Sequence, residues 1–165
     1  IEQGVNSLFL GASLVIIFIA IYYKLSGIVS ITSLMLNLVL LLGVLAYFGA
    51  ALTLPGIAGM LLTVGMAIDA NVLIFERIRE EIRVGKTARA AIDAGYAKAL
   101  STIVDANITT FIAAVVLFQF GTGPIKGFAI TLCIGIAASM FTAVFVSRVI
   151  FDSFMSRKKV SNLSI

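Results

Sequence analysis

Two aspartates stand inside apolar runs: Asp69 in "AIDANVLIFERI" and Asp105 in "STIVDANITT". A charged side chain at mid-bilayer costs roughly 2.5–3.5 kcal/mol on insertion scales, so a span keeps one only for a partner or a task. A carboxyl in a low-dielectric setting also binds a proton more readily than one in water. That is the chemistry of a proton relay, and Asp69 and Asp105 are its candidate members. Asn71 and Asn107 each follow an aspartate by two positions. Two residues turn a helix by about 200°, so each motif offers an acid to one neighbour and an amide to another. Gly65 and Glu76 share the helical face of Asp69, and Ser101, Thr102 and Thr109 share that of Asp105. These hydroxyls can bond a carboxyl or hold a water. Asn37, in another apolar run, can meet one of the two motifs. A plainer reading has both acids protonated and only pinning helices together, a task that a neutral Asn performs at lower cost. Other site chemistry is excluded by type. The chain has no histidine and one cysteine, Cys133. It therefore offers no His-ligated zinc, no Ser-His-Asp hydrolysis and no internal disulfide. No metal or cofactor is expected.

The elements that position these residues follow from composition. Of 165 residues, 61% are apolar and 12% charged, against about 45–50% and about 25% in soluble domains. Mean hydropathy is +1.14. A soluble enzyme and a disordered tail are both excluded. A helix crosses the hydrocarbon core with about 20 apolar residues. Five stretches qualify, at about 5–23, 28–54, 56–75, 100–120 and 125–151. None alternates with period two, as barrel strands do. The predicted fold is all-α, a polytopic bundle of five transmembrane helices. Lys24, Ser26 and Gly27 break the first pair, Pro55-Gly56 opens the third span, and "GTGP" (Gly121 to Pro124) separates the last pair.

Eleven of the twelve Lys and Arg fall in the first turn, the polar connection 77–98, or the end of the last span with the tail 152–165; Lys126 is the exception. These segments share one side, which the positive-inside rule makes cytoplasmic. The net charge of +4 therefore points to loops rather than nucleic acid. Both aspartates then lie about 10–12 Å inside the cytoplasmic edge, at similar depth on consecutive antiparallel helices. The N-terminus is placed outside. With Ile1-Glu2-Gln3 at the start, an upstream span and a periplasmic domain are expected to precede this chain. In the connection, Gly85 breaks a helical pattern and Thr87 caps a segment whose Ala88, Ala91, Ile92 and Tyr96 form an apolar face. That face can lie on the membrane and bring basic residues to anionic lipid; a solvated hairpin is the alternative. In the last span Gly127, Thr131, Gly135, Ser139, Ala143 and Ser147 recur every four residues, a small-residue stripe for close helix packing.

The strings "LPGIAGMLLTVGMAIDANVLIFERIREE", "DANITT", "GTGPIKGFAIT" and "SMFTA" resemble the SecD/SecF family of bacterial protein-translocase subunits, within the resistance-nodulation-division superfamily. The Asp-Ala-Asn strings resemble the SecD branch in particular. The likeness covers essentially the whole chain. It implies half of a resistance-nodulation-division-type transmembrane domain in the bacterial inner membrane. The implied subunit is not an enzyme, and couples the proton gradient to late steps of export. Implied partners are SecF, the SecYEG channel, YajC, membrane lipids, and an exported unfolded polypeptide gripped by the periplasmic domain. The resemblance puts the proton role on Asp69 and, less directly, on Asp105. A small-molecule exporter of the same superfamily is the nearer alternative. An intramembrane aspartyl protease, which also needs two acids on neighbouring spans, is the remote one; its "Tyr-Asp", "Gly-x-Gly-Asp" and "Pro-Ala-Leu" motifs do not occur here.

Overall fold

The structure, a computed structural model, describes residues 2–49 and 53–157. Residues 158–165 of the expected tail, with Lys158 and Lys159, lie outside the described residues. The regular structure described is helical: α1 (Glu2–Tyr47), α2 (Leu54–Arg83), α3 (Ala88–Phe120), α4 (Pro124–Phe141), a π-helical stretch (Thr142–Val146) and α5 (Ser147–Arg157). The helices Ser26–Tyr47, Leu54–Arg83, Ala88–Phe120 and Pro124–Phe154 are long and apolar enough to cross a membrane; the apolar helix Phe9–Lys24 is shorter. Phe18, Val39, Ile112 and Phe145 are among the large apolar side chains left on the outside, the surface that a bilayer would cover.

Helix α1 is two arms joined at Lys24, whose backbone sits at φ 46°, ψ −111°. This is near the first corner of a type II′ turn, at about +60°, −120°. The chain doubles back there. A Cβ on Gly27 would lie 2.7 Å from the carbonyl oxygen of Ile19, although eight helical residues span about 12 Å. The hairpin into α4 uses the same conformation at Gly123, φ 46° and ψ −115°, where no Cβ resists it. Thr53 caps α2, its hydroxyl accepting the Gly56 N–H at 3.1 Å.

Helices α2 and α3 continue beyond their apolar runs, leaving only residues 84–87 as the turn. Gly85 takes φ 94°, and the Thr87 hydroxyl accepts the Ala90 N–H at 3.4 Å. This corrects the membrane-surface helix. Ala91, Ile92 and Tyr96 are 0%, 2% and 4% exposed and join the main apolar core with Ile78 and Phe151. Their apolar face is covered by protein, because Gly95 lets α3 lie directly on the α2 main chain. A Cβ there would be 2.8 Å from Ile78 N and 2.9 Å from its Cα.

Among the described residues every ion pair lies at this end of the bundle, the charged end below. Tyr23 of α1 donates to Glu76 of α2 at 3.2 Å, and Glu76 pairs with Arg79 at 3.0 Å. Glu81 of α2, its side chain 4% exposed, pairs with both Lys86 and Lys98. Asp93 of α3 pairs with Arg148 of α5 at 2.7 Å, and the Tyr96 hydroxyl shares a hydrogen bond with Ser147 at 2.6 Å. Beyond the apolar part of α2, the two lysine ammoniums hold the Glu81 carboxyl below the usual carboxylate range.

The small residues of α4 face α2. A Cβ on Gly135 would fall 2.7 Å from the Cβ of Thr63, and one on Gly127 would fall 2.6 Å from Thr53 Oγ1. Ser139, 2% exposed, donates to Ile136 O at 2.9 Å. One turn on, the helix widens into the π stretch. The Thr142 hydroxyl competes for the carbonyls of Ala138 (3.0 Å) and Ser139 (3.2 Å), and the Ser147 N–H reaches back five residues to Thr142 O.

Candidate functional site

Two contacts fix the levels of the helices. Tyr23 meets Glu76, so levels on the second arm of α1 and on α2 run in opposite directions from that pair. Gly95 backs onto Ile78, which sets α3 against α2 in the same way. Counting from these anchors, Asp69 lies level with Ser30 on α1 and with Val104 on α3. It stands seven residues, about 10 Å, from Glu76 at the charged end.

Asp69 is exposed on the bundle surface, in a groove of about 380 Å³ between α2 and α3. Met66 and Leu73 flank it on α2, and Thr102, Asn107 and Thr110 line the opposite wall. A second recess of about 370 Å³, with Ala58, Leu61 and Gly65, opens on its other side. Asp69 is thus an acid with polar company in an otherwise apolar cleft. Asn71 is 1% exposed and faces into the bundle, where its Nδ2 donates to Ala67 O at 3.1 Å. The second motif divides likewise. Asp105 is exposed, while Asn107 is 7% exposed and donates to Ile103 O at 2.7 Å. Each Asn therefore looks away from its Asp.

Several expectations need correcting. Asp105 lies at nearly the depth of Asp69, but it does not line the groove, because α3 turns that carboxyl to the outer surface. The two acids do not share a cavity, as a protease pair must. Thr109 donates not to a carboxyl but to the backbone oxygen of Asp105 at 3.0 Å, and Thr110 bonds Ala106 O at 3.1 Å. Ser101 reaches only Lys98 O, at 3.5 Å. A helical Ser or Thr has its own preceding turn as its nearest acceptor. Asn37 is 0% exposed, yet neither of its amide atoms has a partner among the described residues. It bonds to neither motif, since its level is that of Leu62, deeper than both. Glu76 is taken up by Tyr23 and Arg79. Buried Glu81 was missed; the available signal was an acid continuing the apolar row Ile74, Ile78 on one helical face.

Residues 1–157 match the family described as "Protein export membrane protein SecD/SecF, C-terminal". The chain belongs to the SecD/SecF family. Among its relatives, the protein translocase subunit SecD of Desulfurispirillum indicum is 61% identical over all 165 residues, and that of Syntrophobacter fumaroxidans 57%. The chain spans about a third of the length of these curated relatives, 32% and 31% respectively. A crystal structure of SecDF, a translocon-associated membrane protein from Thermus thermophilus, superposes with a TM-score of 0.92 at 42% identity. That match covers 96% of this chain and 22% of the other. The SecD resemblance and the all-helical, multi-pass membrane fold are borne out. The relatives' names are those of a translocase subunit, which favours neither the exporter nor the protease alternative.

Proposed function

We propose that this SecD/SecF family chain forms the membrane part of a subunit that uses the proton gradient to drive late steps of protein export across the bacterial inner membrane. One observation carries the reading: an ionisable carboxyl, Asp69, stands at depth in a groove walled by Thr102, Asn107 and Thr110. Its partners are SecF, whose span would lie against the groove and the outward face of Asp105, the SecYEG channel, and YajC. The exported polypeptide is gripped by a periplasmic domain upstream of residue 1. The N-terminus of this chain is periplasmic, and the charged end is cytoplasmic.

The groove gives the mechanism its parts. Protonation from outside removes the Asp69 charge and lets the groove close on an apolar neighbour. Loss of the proton to the cytoplasm restores a charge that must be solvated, and the groove opens. Gly65 beside Asp69 lets a neighbouring helix approach. The membrane potential supplies about 2.3 kcal/mol per charge per 100 mV, enough to shift a two-state arrangement by up to about fifty-fold. Asp105 serves the same path from the other face of α3.

The test is export into inverted membrane vesicles, with the gradient present and then collapsed by an ionophore. Asp69→Asn is expected to export at the collapsed-gradient rate under both conditions, and Asp69→Glu to retain part of the stimulation. An Asp69→Asn variant with the full gradient response would overturn the assignment.

A further inference from the structure

Helix α2 has a second polar side, opposite the Asp69 groove. On the second arm of α1, Ser26, Ser30, Ser33 and Asn37 fall at i, i+4, i+7 and i+11, within about 60° of one another around the helix. All four are at most 1% exposed. The three serine hydroxyls and both amide atoms of Asn37 lack a hydrogen-bond partner among the described residues, as does the Oδ1 of inward-facing Asn71. In these counts Asn71 lies between the levels of Ser26 and Ser30. A serine can turn its hydroxyl onto its own helix. A buried amide cannot satisfy two donors and an acceptor in that way, and Asn37 has none satisfied. Buried polar groups in a bilayer-spanning bundle find partners in protein or internal water. Here the described residues supply none.

The shallow end of the column lies at the charged end. Ser26 is two residues from the Lys24 turn, at the charged end where Tyr23 meets Glu76. From Ser26 to Asn37 it runs about 16 Å and stops at apolar residues, for Leu41 and Leu45 pack with Ile57 and Met60 one turn deeper. We infer that a file of internal water enters at the charged end and is held along the Ser26–Ser30–Ser33–Asn37 face against Asn71. The bundle then has two wet compartments back to back across α2. One is the groove of Asp69; the other is a blind column in the bundle interior, reaching the same depth and beyond. This site goes beyond the role proposed for Asp69 and stands without it.

The test uses the full-length protein in liposomes, with Cys133 and any cysteine outside this chain replaced by Ala. Single cysteines are placed at Ser30, Ser33 and, as the dry reference, Leu41, which is 0% exposed. A thiol reacts as its thiolate, which forms in water and not in an apolar core. Ag⁺ added from the charged end is expected to block Ser30→Cys and Ser33→Cys at least about tenfold faster than Leu41→Cys. Radiolytic hydroxyl labelling of the unsubstituted protein decides the matter if a cysteine variant fails to insert. Leu34, 1% exposed and next to Ser33, is expected to oxidise and Leu41 to stay unmodified. Equal, slow reaction at Ser30→Cys, Ser33→Cys and Leu41→Cys means a dry column and overturns the inference, as does labelling of Leu34 no faster than Leu41. Asp69→Asn is expected to leave both readouts unchanged, so their failure says nothing against the proton role of Asp69.

Discussion

Replacing Gly135 by alanine sets two opposing effects against each other, and the structure decides the sign. Alanine in a helix interior is favoured over glycine by about 1 kcal/mol. The new methyl would lie 2.2 Å from Thr63 Cγ2 and 2.7 Å from Thr63 Cβ. Thr63 is fully buried, and its hydroxyl donates to Met60 O at 2.9 Å. A rotation about its stiff χ1 moves Cγ2 but leaves Cβ in place. Ordinary contact begins near 3.4 Å, so α2 and α4 must part by about 0.7 Å. Overpacking of this kind costs about 1–3 kcal/mol. The net expectation for Gly135→Ala is a loss of about 1 kcal/mol, roughly fivefold in the unfolding constant. Gly43 is the control. It also lies inside a helix, but nothing would meet its Cβ within 4 Å, so Gly43→Ala is expected to gain about 0.5–1 kcal/mol. Reversible unfolding of the full-length protein in mixed detergent micelles reads both. Thr63→Gly in the Gly135→Ala background is expected to recover part of the loss, after allowance for its own cost. A Gly135→Ala protein as stable as the parent would refute the close approach of the two helices.

Lys24→Gly is expected to stabilise by about 1–2 kcal/mol, because φ 46°, ψ −111° strains a side-chain-bearing residue; Gly123→Ala is expected to destabilise by a similar amount, both read in the same unfolding assay. Glu81 has a folded-state pKa held down by Lys86 and Lys98, so its stabilisation is fully present above the ordinary carboxylate value of about 4.3 and is lost as pH falls through the lower folded value. The stability gap between the parent and Glu81→Gln is therefore expected to be constant from about pH 7 to about pH 5 and to shrink in more acid solution, and a gap independent of pH down to unfolding would contradict the pairing. Tyr96→Phe removes the hydrogen bond to Ser147 while keeping the edge contact with Phe151, and is expected to cost about 1 kcal/mol in thermal unfolding.

The apolar helices, turns and polar outliers were legible because each rests on local chemistry. Apolar length marks helices, Pro55 and Gly123 mark helix starts, and Thr87 marks a cap. The two-way split of each Asp-Ala-Asn motif also followed from helical phase alone. What lay beyond reach needed the rotation of one helix against another. Asp69 and Asp105 match in depth, yet only the phase of α3 shows that Asp105 turns away from the groove. The apolar face of Ala91, Ile92 and Tyr96 reads equally well against lipid or protein; Gly95 on Ile78 decides it. Burial of Glu81 depends on two lysines from separate segments, Lys86 in the turn and Lys98 on α3. The serine face of α1 sits in a run that counts as apolar, so its orphaned hydroxyls stood out only once their surroundings were known.

The most direct measurement is proton flux into liposomes carrying the full-length protein together with its export partners, followed with a trapped pH-sensitive dye under an imposed potential. If Asp69 carries the proton, Asp69→Asn reduces potential-driven flux to that of protein-free liposomes, and Asp69→Glu restores a measurable part. Flux through Asp69→Asn equal to that of the parent, in protein that inserts and folds normally, would show that protons pass elsewhere.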